Sequence, residues 1–509
     1  MTTAIQNNTT DLRKWLIVIT VMTIAILEVL DSTVVNVALT SMMSSLGANS
    51  DQITWVLTSY VVASAIMIPL TGFLSDRVGI KNLLLTNIIG FMVFSALCGI
   101  STSLTEMIIF RLLQGAFGAA LIPLSQSILR QSFPLDQQGK AMAIWGMGIM
   151  VAPVMGPTLG GYIVDYTSWR WIFYINIPFC IIGFLMALRV LPYVAGIKRS
   201  FDWSGILFMV VGIACLQLFL DQGNTNDWFH SNAIISIFTL SVVGLIFFIY
   251  HSLKCKSPAV KLQLFKDRNF MLCTLIFCIF AGNIFGLLTL EPIMLQTIFN
   301  YTAIDAGLIL APMGLFSVIG IIISVNLIKR VKAKYLISAG LISISLGAFH
   351  LSHLTIDTSF AVMTKSNIGL GFGLGLLMVP ISTFALATIP KTDITDGSGL
   401  FSYGRMLGTS IGTSLLSTLV SRLAQKNWNS LGGNINLFNH NLSSWLQQTH
   451  GAIQNPATLA TLQQTLASQA TFQAYISAYN LVGIVLLCTI PLALATKHVD
   501  LSKATMATH

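Results

Sequence analysis

Charge is scarce in this sequence: 27 Lys and Arg and 18 Asp and Glu are all that 509 residues carry, 9% of the chain, where water-soluble domains carry about a quarter. With an apolar content of 54%, that deficit excludes a soluble cytosolic enzyme. Paired cysteine is missing too. None of the seven cysteines stands in a Cys-x-x-Cys pair, and six fall in apolar stretches where a thiol behaves as a small hydrophobe; neither disulfides nor zinc is expected. The Gly139-Lys140 pair is followed by Ala141, and no Gly-x-x-x-x-Gly-Lys-Ser/Thr loop exists, which excludes a phosphate-cradling ATPase segment. A net charge of +9 does not point to nucleic acid, because the basic residues fall in short loops between apolar runs.

Those runs, each about twenty residues long, suffice to cross a bilayer as helices. Lipid offers no partner to backbone polar groups, so only helices or closed barrels can span it. Runs that are continuous rather than alternating select helices. Spans read near 15–39, 53–74, 82–101, 105–128, 140–164, 171–191, 203–221, 231–251, 270–291, 303–328, 334–353, 361–388, 397–421 and 472–495, fourteen in all. The apolar stretch behind Met1–Lys14 carries acids and lacks a small-residue cleavage site, so the first span is expected to be retained as an anchor.

Lys and Arg sort by side. Arg111 and Arg405 lie within spans, and Arg170, Lys365, Arg422 and Lys426 fall on one face; the remaining 21 of the 27 basic residues fall on the face that holds the N-terminus. Basic loops stay in the cytoplasm, so both termini are expected there. The segment 422–471 then lies outside, rich in Asn, Ser, Gln and Thr, with Leu459, Leu462 and Leu466 at helical spacing. It reads either as a solvated loop or as an amphipathic helix that docks a partner.

A charge at mid-bilayer costs about 2.5–3.5 kcal/mol on insertion scales, so charges retained in spans are functional candidates. Glu28 and Asp31 share a face of the first span, about 20 and 24 Å along a helix from Trp15. Arg111 lies about 9 Å below the outer surface in the fourth span, near the depth of Asp31. An acid facing an arginine across a cavity can exchange protons as access alternates; the alternative is a static pair that holds two helices together. Arg405, about 12 Å into span 13, can bind an anionic group, neutralise an acid on another helix or pair with carbonyls. Glu106 and Glu291 stand near outer span ends, where water solvates a carboxylate. His350 and His353 share a face without a third ligand, so no metal is expected. Trp145, Phe117, Phe280 and Phe285 either line a pocket or pack in the usual way.

Between spans 2 and 3 stand Gly72, Asp76, Arg77, Gly79 and Lys81. Glycines permit a tight turn, Asp76 can accept from a helix N-terminus or pair with Arg130, and Arg77 and Lys81 suit anionic headgroups. The spacing resembles the loop signature of the major facilitator superfamily, with Ile80 in place of one usual basic residue. Arg111-Leu112-Leu113-Gln114-Gly115 resembles the Arg-x-x-Gln-Gly motif of the same family, whose arginine is implicated in proton coupling. Gly148, Pro153, Gly156, Pro157, Gly160 and Gly161 in span 5 resemble its antiporter motif; physically, prolines bend a helix and glycines permit close packing, a hinge or seal. Leu30–Leu39, Trp169–Asn176, Phe201–Gly205, Gly307-Leu308 with Pro312, Gly369–Pro380 and Arg405-Met406-Leu407-Gly408 narrow the resemblance to the fourteen-helix drug/proton antiporters of EmrB and QacA type. Thr40 stands where that family usually has proline.

The resemblance implies an all-α integral membrane protein of major facilitator fold: a six-helix bundle over 1–200, two inserted helices with a basic loop over 201–262, and a second six-helix bundle over 263–509 with the external loop 422–471. The basic loop Lys329–Lys334 takes the place of the first bundle's latch but lacks its Asp. Implied roles are proton coupling for Asp31, Glu28 and Arg111, cavity partners Asn36, Gln114 and Arg405, and a cytoplasmic gate of Gly72, Asp76, Arg77, Gly79, Lys81 and Arg130. The expected activity is export of hydrophobic, cationic or amphiphilic compounds across the bacterial cytoplasmic (inner) membrane, driven by the proton gradient, with no cofactor. The external loop favours partnership with a periplasmic adaptor and an outer-membrane channel. Export of one metabolite, fatty acid, siderophore or lipid, and a non-transporting receptor on the same scaffold, remain open; a membrane-embedded enzyme is disfavoured because the acids are scattered.

Overall fold

The computed structural model describes residues 11–193, 196, 201–255, 257–328, 330–433, 435, 442, 444, 446 and 455–497. Lys198, Arg199, Lys256, Lys329 and Lys503, and most of 434–454, lie outside the described residues. Every regular element described is helical. Fourteen helical units follow in order among the described residues: α1 (Asp11–Leu46), α2 (Trp55–Met67 and Thr71–Val78, bent by 61° between them), α3 (Ile80–Ile100), α4 (Leu104–Ser132), α5 (Leu135–Tyr166), α6 (Trp171–Val190), α7 (Trp203–Gln222), α8 (Asn232–Lys254), α9 (Arg268–Thr297), α10 (Ala303–Leu327), α11 (Ala333–Leu351), α12 (Phe360–Ala387), α13 (Ile394–Gly433) and α14 (Pro456–Leu494); all but α5 and α13 are long and apolar enough to cross a membrane by length and composition.

Local chemistry sets many of the boundaries. Ser103 accepts from the Glu106 amide at the start of α4, Thr302 and Asp305 form a reciprocal capping box on α10, and Asn455 with Pro456 opens α14. Gly79, at φ 88°, joins α2 to α3, a conformation that a side chain would oppose.

Two helices overrun the expected spans. At 1.5 Å per residue the 40 residues of α13 and the 39 of α14 reach about 60 Å, twice the hydrocarbon thickness. The segment from Pro456 to the membrane is therefore helix and not the solvated loop that composition allows. Asn427 Nδ2 donates to the Ala470 carbonyl at 3.2 Å, so the overrunning ends pair as a hairpin on the side opposite the basic loops.

Helix neighbours repeat with an offset of eight. In the first bundle α1 packs on α5, α2 and α3 on α4, and α3 on α6; in the second α9 packs on α13, α10 and α11 on α12, and α11 on α14. The inserted helices α7 and α8 pack on each other, α7 packs against α2, and Ser414 of α13 ties α7 in by donating to the Leu220 carbonyl at 2.6 Å. The bundles meet along α5 with α10, and along α13 with α2 and α4.

Candidate functional site

Asp31 is fully buried on α1, and three donors from two other helices converge on it. Arg111 Nη1 reaches Oδ2 at 2.8 Å; Gln114 Nε2 at 3.1 Å and Asn176 Nδ2 at 2.7 Å reach Oδ1. Arg111 also donates to Gln114 Oε1 at 2.8 Å and the Val56 carbonyl at 3.3 Å, and its guanidinium lies 4.2 Å from the Tyr60 ring centroid. The acid and the arginine matched by depth therefore meet, and the motif glutamine closes the ring. Every neighbour of the carboxylate is a donor, so a proton can bind only where one of them turns away. Removing one partner of such a pair strands a buried charge, at about 3–5 kcal/mol.

Asn176 was not among the predicted site residues. Its signal was present: a carboxamide in an apolar span has no reason to be there unless it is bonded. Asn36 is exposed and stays outside this network.

Glu28, one turn before Asp31, is half-buried and makes no ion pair among the described residues. Among the described residues no ion pair or carboxylate contact is formed by Arg405, so its role as anion site or partner of an acid stays as the sequence leaves it. Arg405 lies on the wall of a narrow cleft between the bundles, lined also by Val29, Ile122, Gln126, Trp145, Ile149, Pro153, Phe277, Phe280, Phe285, Leu288 and Met378. Its wall is apolar apart from Arg405 and Gln126. Three of the candidate aromatics line it; Phe117 instead stacks on Phe94 at 5.6 Å.

On the basic side the bundles are sealed together. Ser127 and Thr395 hydroxyls meet at 2.7 Å, Ser398 donates to the Pro123 carbonyl at 3.1 Å, and Arg130 Nη2 donates to the Ser382 carbonyl at 2.5 Å. Arg130 thus crosses to the second bundle instead of turning to Asp76. Gly72 abuts Asp396, leaving no room for a Cβ, and Lys261 pairs with Asp396 at 2.7 Å and Asp393 at 2.5 Å. Lys81 Nζ caps α6 through the Leu188 and Leu191 carbonyls, each at 2.7 Å, while Arg77 stays exposed and covers the Phe201 ring. Asp76 lies within α2, three residues before Gly79.

Helix α5 runs unbroken through Pro153 and Pro157, and the side chain of Pro157 is outside the described residues. Gly148 packs on Met22 and Ile26, Gly156 on Thr33 and Gly160 on Val34 of α1, while Gly161 has open space to 3.9 Å.

The remaining candidates divide. Glu106 is exposed and accepts from Thr102, as an interfacial acid should. Glu291 departs from expectation: it is 2% exposed and accepts from Asn367 at 2.7 Å, because α9 continues past the expected span end to Thr297 and Asn367 of α12 packs against the acid. His350 meets Ser366 and His353 meets the Phe349 carbonyl, each at 2.7 Å, so the two histidines do not converge.

The Major Facilitator Superfamily model matches residues 21–413. The multidrug export protein EmrB of Escherichia coli K12 is 36% identical over 473 residues, 90% of this chain and 91% of its own. The fatty acid resistance protein FarB of Neisseria gonorrhoeae is 34% identical over 448 residues, 87% of this chain and 88% of its own. Among solved structures, a double tryptophan mutant of XylE superposes with a TM-score of 0.62 over 97% of this chain and 99% of its own at 14% identity, a likeness of fold. With the family match spanning most of the chain and relatives of this identity along nearly its whole length, the chain is a multi-pass membrane transporter rather than an enzyme, and it belongs to the major facilitator superfamily and, within it, to the EmrB-type drug exporter family.

Proposed function

We propose that this protein exports a multidrug range of hydrophobic and amphiphilic compounds from the cytoplasm or inner leaflet in exchange for protons. The observation that carries the reading is a buried acid, Asp31, paired with Arg111 and two residues from Val29 on the wall of a largely apolar cleft between two bundles. Transporters built from repeats bind cargo near the midplane and rock around it. In this scheme the seal at Ser127, Arg130, Asp396 and Lys261 closes the basic, cytoplasmic side while Asp31 exchanges with outer water. Opening of that seal carries the proton inward, and α5 serves as the hinge or sliding face against α1. One charge moving down 100 mV supplies about 2.3 kcal/mol, enough for a gradient of roughly fiftyfold. No cofactor enters the cycle.

The membrane is the bacterial cytoplasmic membrane, with both termini inside. The hairpin of α13 and α14 then projects into the periplasm, where it suits an adaptor protein leading to an outer-membrane channel. Deleting its outer part should leave transport in vesicles intact while abolishing efflux from cells.

A second reading rests on Arg405, the cation on an otherwise apolar wall. An anionic amphiphile such as a fatty acid would place its head there and its tail among Phe277, Phe280 and Phe285, in line with the name of the Neisseria relative. Everted vesicles decide between the readings. Cationic dyes, neutral drugs and fatty acids are offered with and without a proton gradient, to wild type, Asp31→Asn and Arg405→Gln. Gradient-driven uptake lost in Asp31→Asn supports the exchange; uptake unchanged in that variant overturns it. Loss in Arg405→Gln confined to fatty acids selects the second reading.

A further inference from the structure

Glu291 is a buried carboxyl for which the mechanism above has no use. It lies on α9 one turn beyond Leu288, continuing the stripe Phe277, Phe280, Ile284 and Leu288 by which this helix lines the cleft. Pro292 follows it immediately and offers no amide to the Leu288 carbonyl, which loosens the helix at this level. Asn367 Nδ2 is its recorded partner, and among the described residues no cation pairs with it.

The eightfold offset in helix packing gives this acid a counterpart. Asp31 on α1 is reached from α4 and α6; Glu291 on α9 is reached from α12, with Tyr479 of α14 beside it. The correspondence holds in register, for Asn367 stands seven residues past Phe360 at the start of α12, as Arg111 stands seven past Leu104 at the start of α4. Where the first bundle places a guanidinium, the second places an amide.

We propose that Glu291 is a second proton-carrying site of the transporter, the repeat-related counterpart of Asp31 without its arginine, so that each cycle moves one proton through each bundle. A buried carboxylate beside one amide is poorly compensated, whereas the neutral acid is not. The Oδ1 of Asn367 is buried without a donor, and a protonated Glu291 brings an O–H donor to that amide. The remaining neighbours leave the acid alone. Tyr479 gives its hydroxyl to Met294 Sδ at 3.5 Å and Tyr475 lies behind it on α14; Arg405 of α13 makes no ion pair among the described residues; Asp305 of α10 is held in its cap by Thr302. In the cycle, the carboxylate takes a proton onto Oε from outer water and returns it to the cytoplasmic side, leaving the carboxylate.

The proposal rests on the proton-exchange reading, and two experiments separate their failures. The purified full chain is treated with dicyclohexylcarbodiimide, which adds to protonated carboxyls in apolar surroundings, and peptides are read by mass spectrometry. Glu291 should be modified at neutral pH, less as pH rises, with Asp31 spared; an unmodified Glu291, or modification independent of pH, overturns the proposal without any variant having to fold. In proteoliposomes with the membrane potential clamped at zero, limiting accumulation of ethidium should fall tenfold per pH unit in Glu291→Gln, and Asp31→Asn should abolish it. Each coupled proton is worth tenfold per pH unit. Accumulation lost in Asp31→Asn but equal to wild type in Glu291→Gln removes the second site and keeps the exchange. No response of the wild type to the pH gradient removes the exchange itself and leaves the carbodiimide labelling to decide the state of Glu291.

Discussion

In the first bundle the buried acid meets a guanidinium and two carboxamides, whereas in the second it meets one carboxamide and no cation, although the same three helices of each repeat surround it. An ion pair fixes its members by charge, and its protonation is tied to movement of the cation. A lone acid can change protonation in place. The two bundles therefore share a scaffold and differ in how they hold the acid; on the proposed cycle, one would couple charge to geometry and the other would store a proton in a nearly static pocket.

Unpairing the two sites should break or sharpen this contrast most strongly. Arg111→Met leaves Asp31 buried and alone and should destabilise the detergent-solubilised protein by about 3–5 kcal/mol, with most of the loss recovered in the Asp31→Asn, Arg111→Met double variant. Asn367→Leu removes one neutral donor from Glu291 and should cost about 1–3 kcal/mol. Thermal unfolding of the four proteins checks both. Equal losses for Arg111→Met and Asn367→Leu would mean that Glu291 is held as a charge, and the division between the bundles would fail.

The first helix of each bundle also meets the fifth in different ways. Glycines of α5 pack on side chains of α1, but Gly282 of α9 lies against the Gly408 and Gly412 backbone of α13, where an added Cβ meets the Gly408 carbonyl oxygen at 2.6 Å. Gly282→Ala should therefore cost about 1–3 kcal/mol by overpacking. Gly161→Ala, with open space around it, should gain about 0.5–1 kcal/mol from helix propensity alone. The opposite signs are the test; a stabilising Gly282→Ala would show that α9 and α13 separate freely.

Much of this was legible in the sequence, and the limits are physical. Each of the fourteen spans read from hydropathy falls on a described helix, because lipid forces helices. Depth matched Asp31 to Arg111 because helical rise is fixed. Asn176 was missed because a neutral polar residue carries a smaller insertion penalty than a charge, and Glu291 was misplaced because α9 runs on past the expected span end and the partner that buries it, Asn367 of α12, is distant in sequence. Hydropathy ends a span where lipid ends and cannot see a helix that continues into water through residues such as Gln463 and Gln464. Which carbonyl Arg130 or Lys81 finds is likewise a property of packing between helices, which no local pattern records.

The smallest effect is expected at the inserted pair, whose acid caps a helix ahead of the membrane span. Asp202 caps α7 ahead of the membrane span, accepting from Gly205 N at 2.9 Å, Ala259 N at 3.2 Å and His251 at 2.7 Å. Burial opposes its ionisation, yet these donors together outweigh it and hold the carboxyl below its ordinary range. A folded carboxyl that titrates below its unfolded value of about 3.9 contributes stability that is complete above that value and is lost as pH falls through the lower, folded one. Asp202→Ala should thus cost about 0.5–2 kcal/mol at neutral pH, and the gap between variant and wild type should close on acidification below about pH 4. Because α7 and α8 are not among the twelve helices that repeat, Asp31-dependent transport should survive this variant; a loss of transport with stability unchanged would make the inserted pair part of the moving machinery rather than a flank to it.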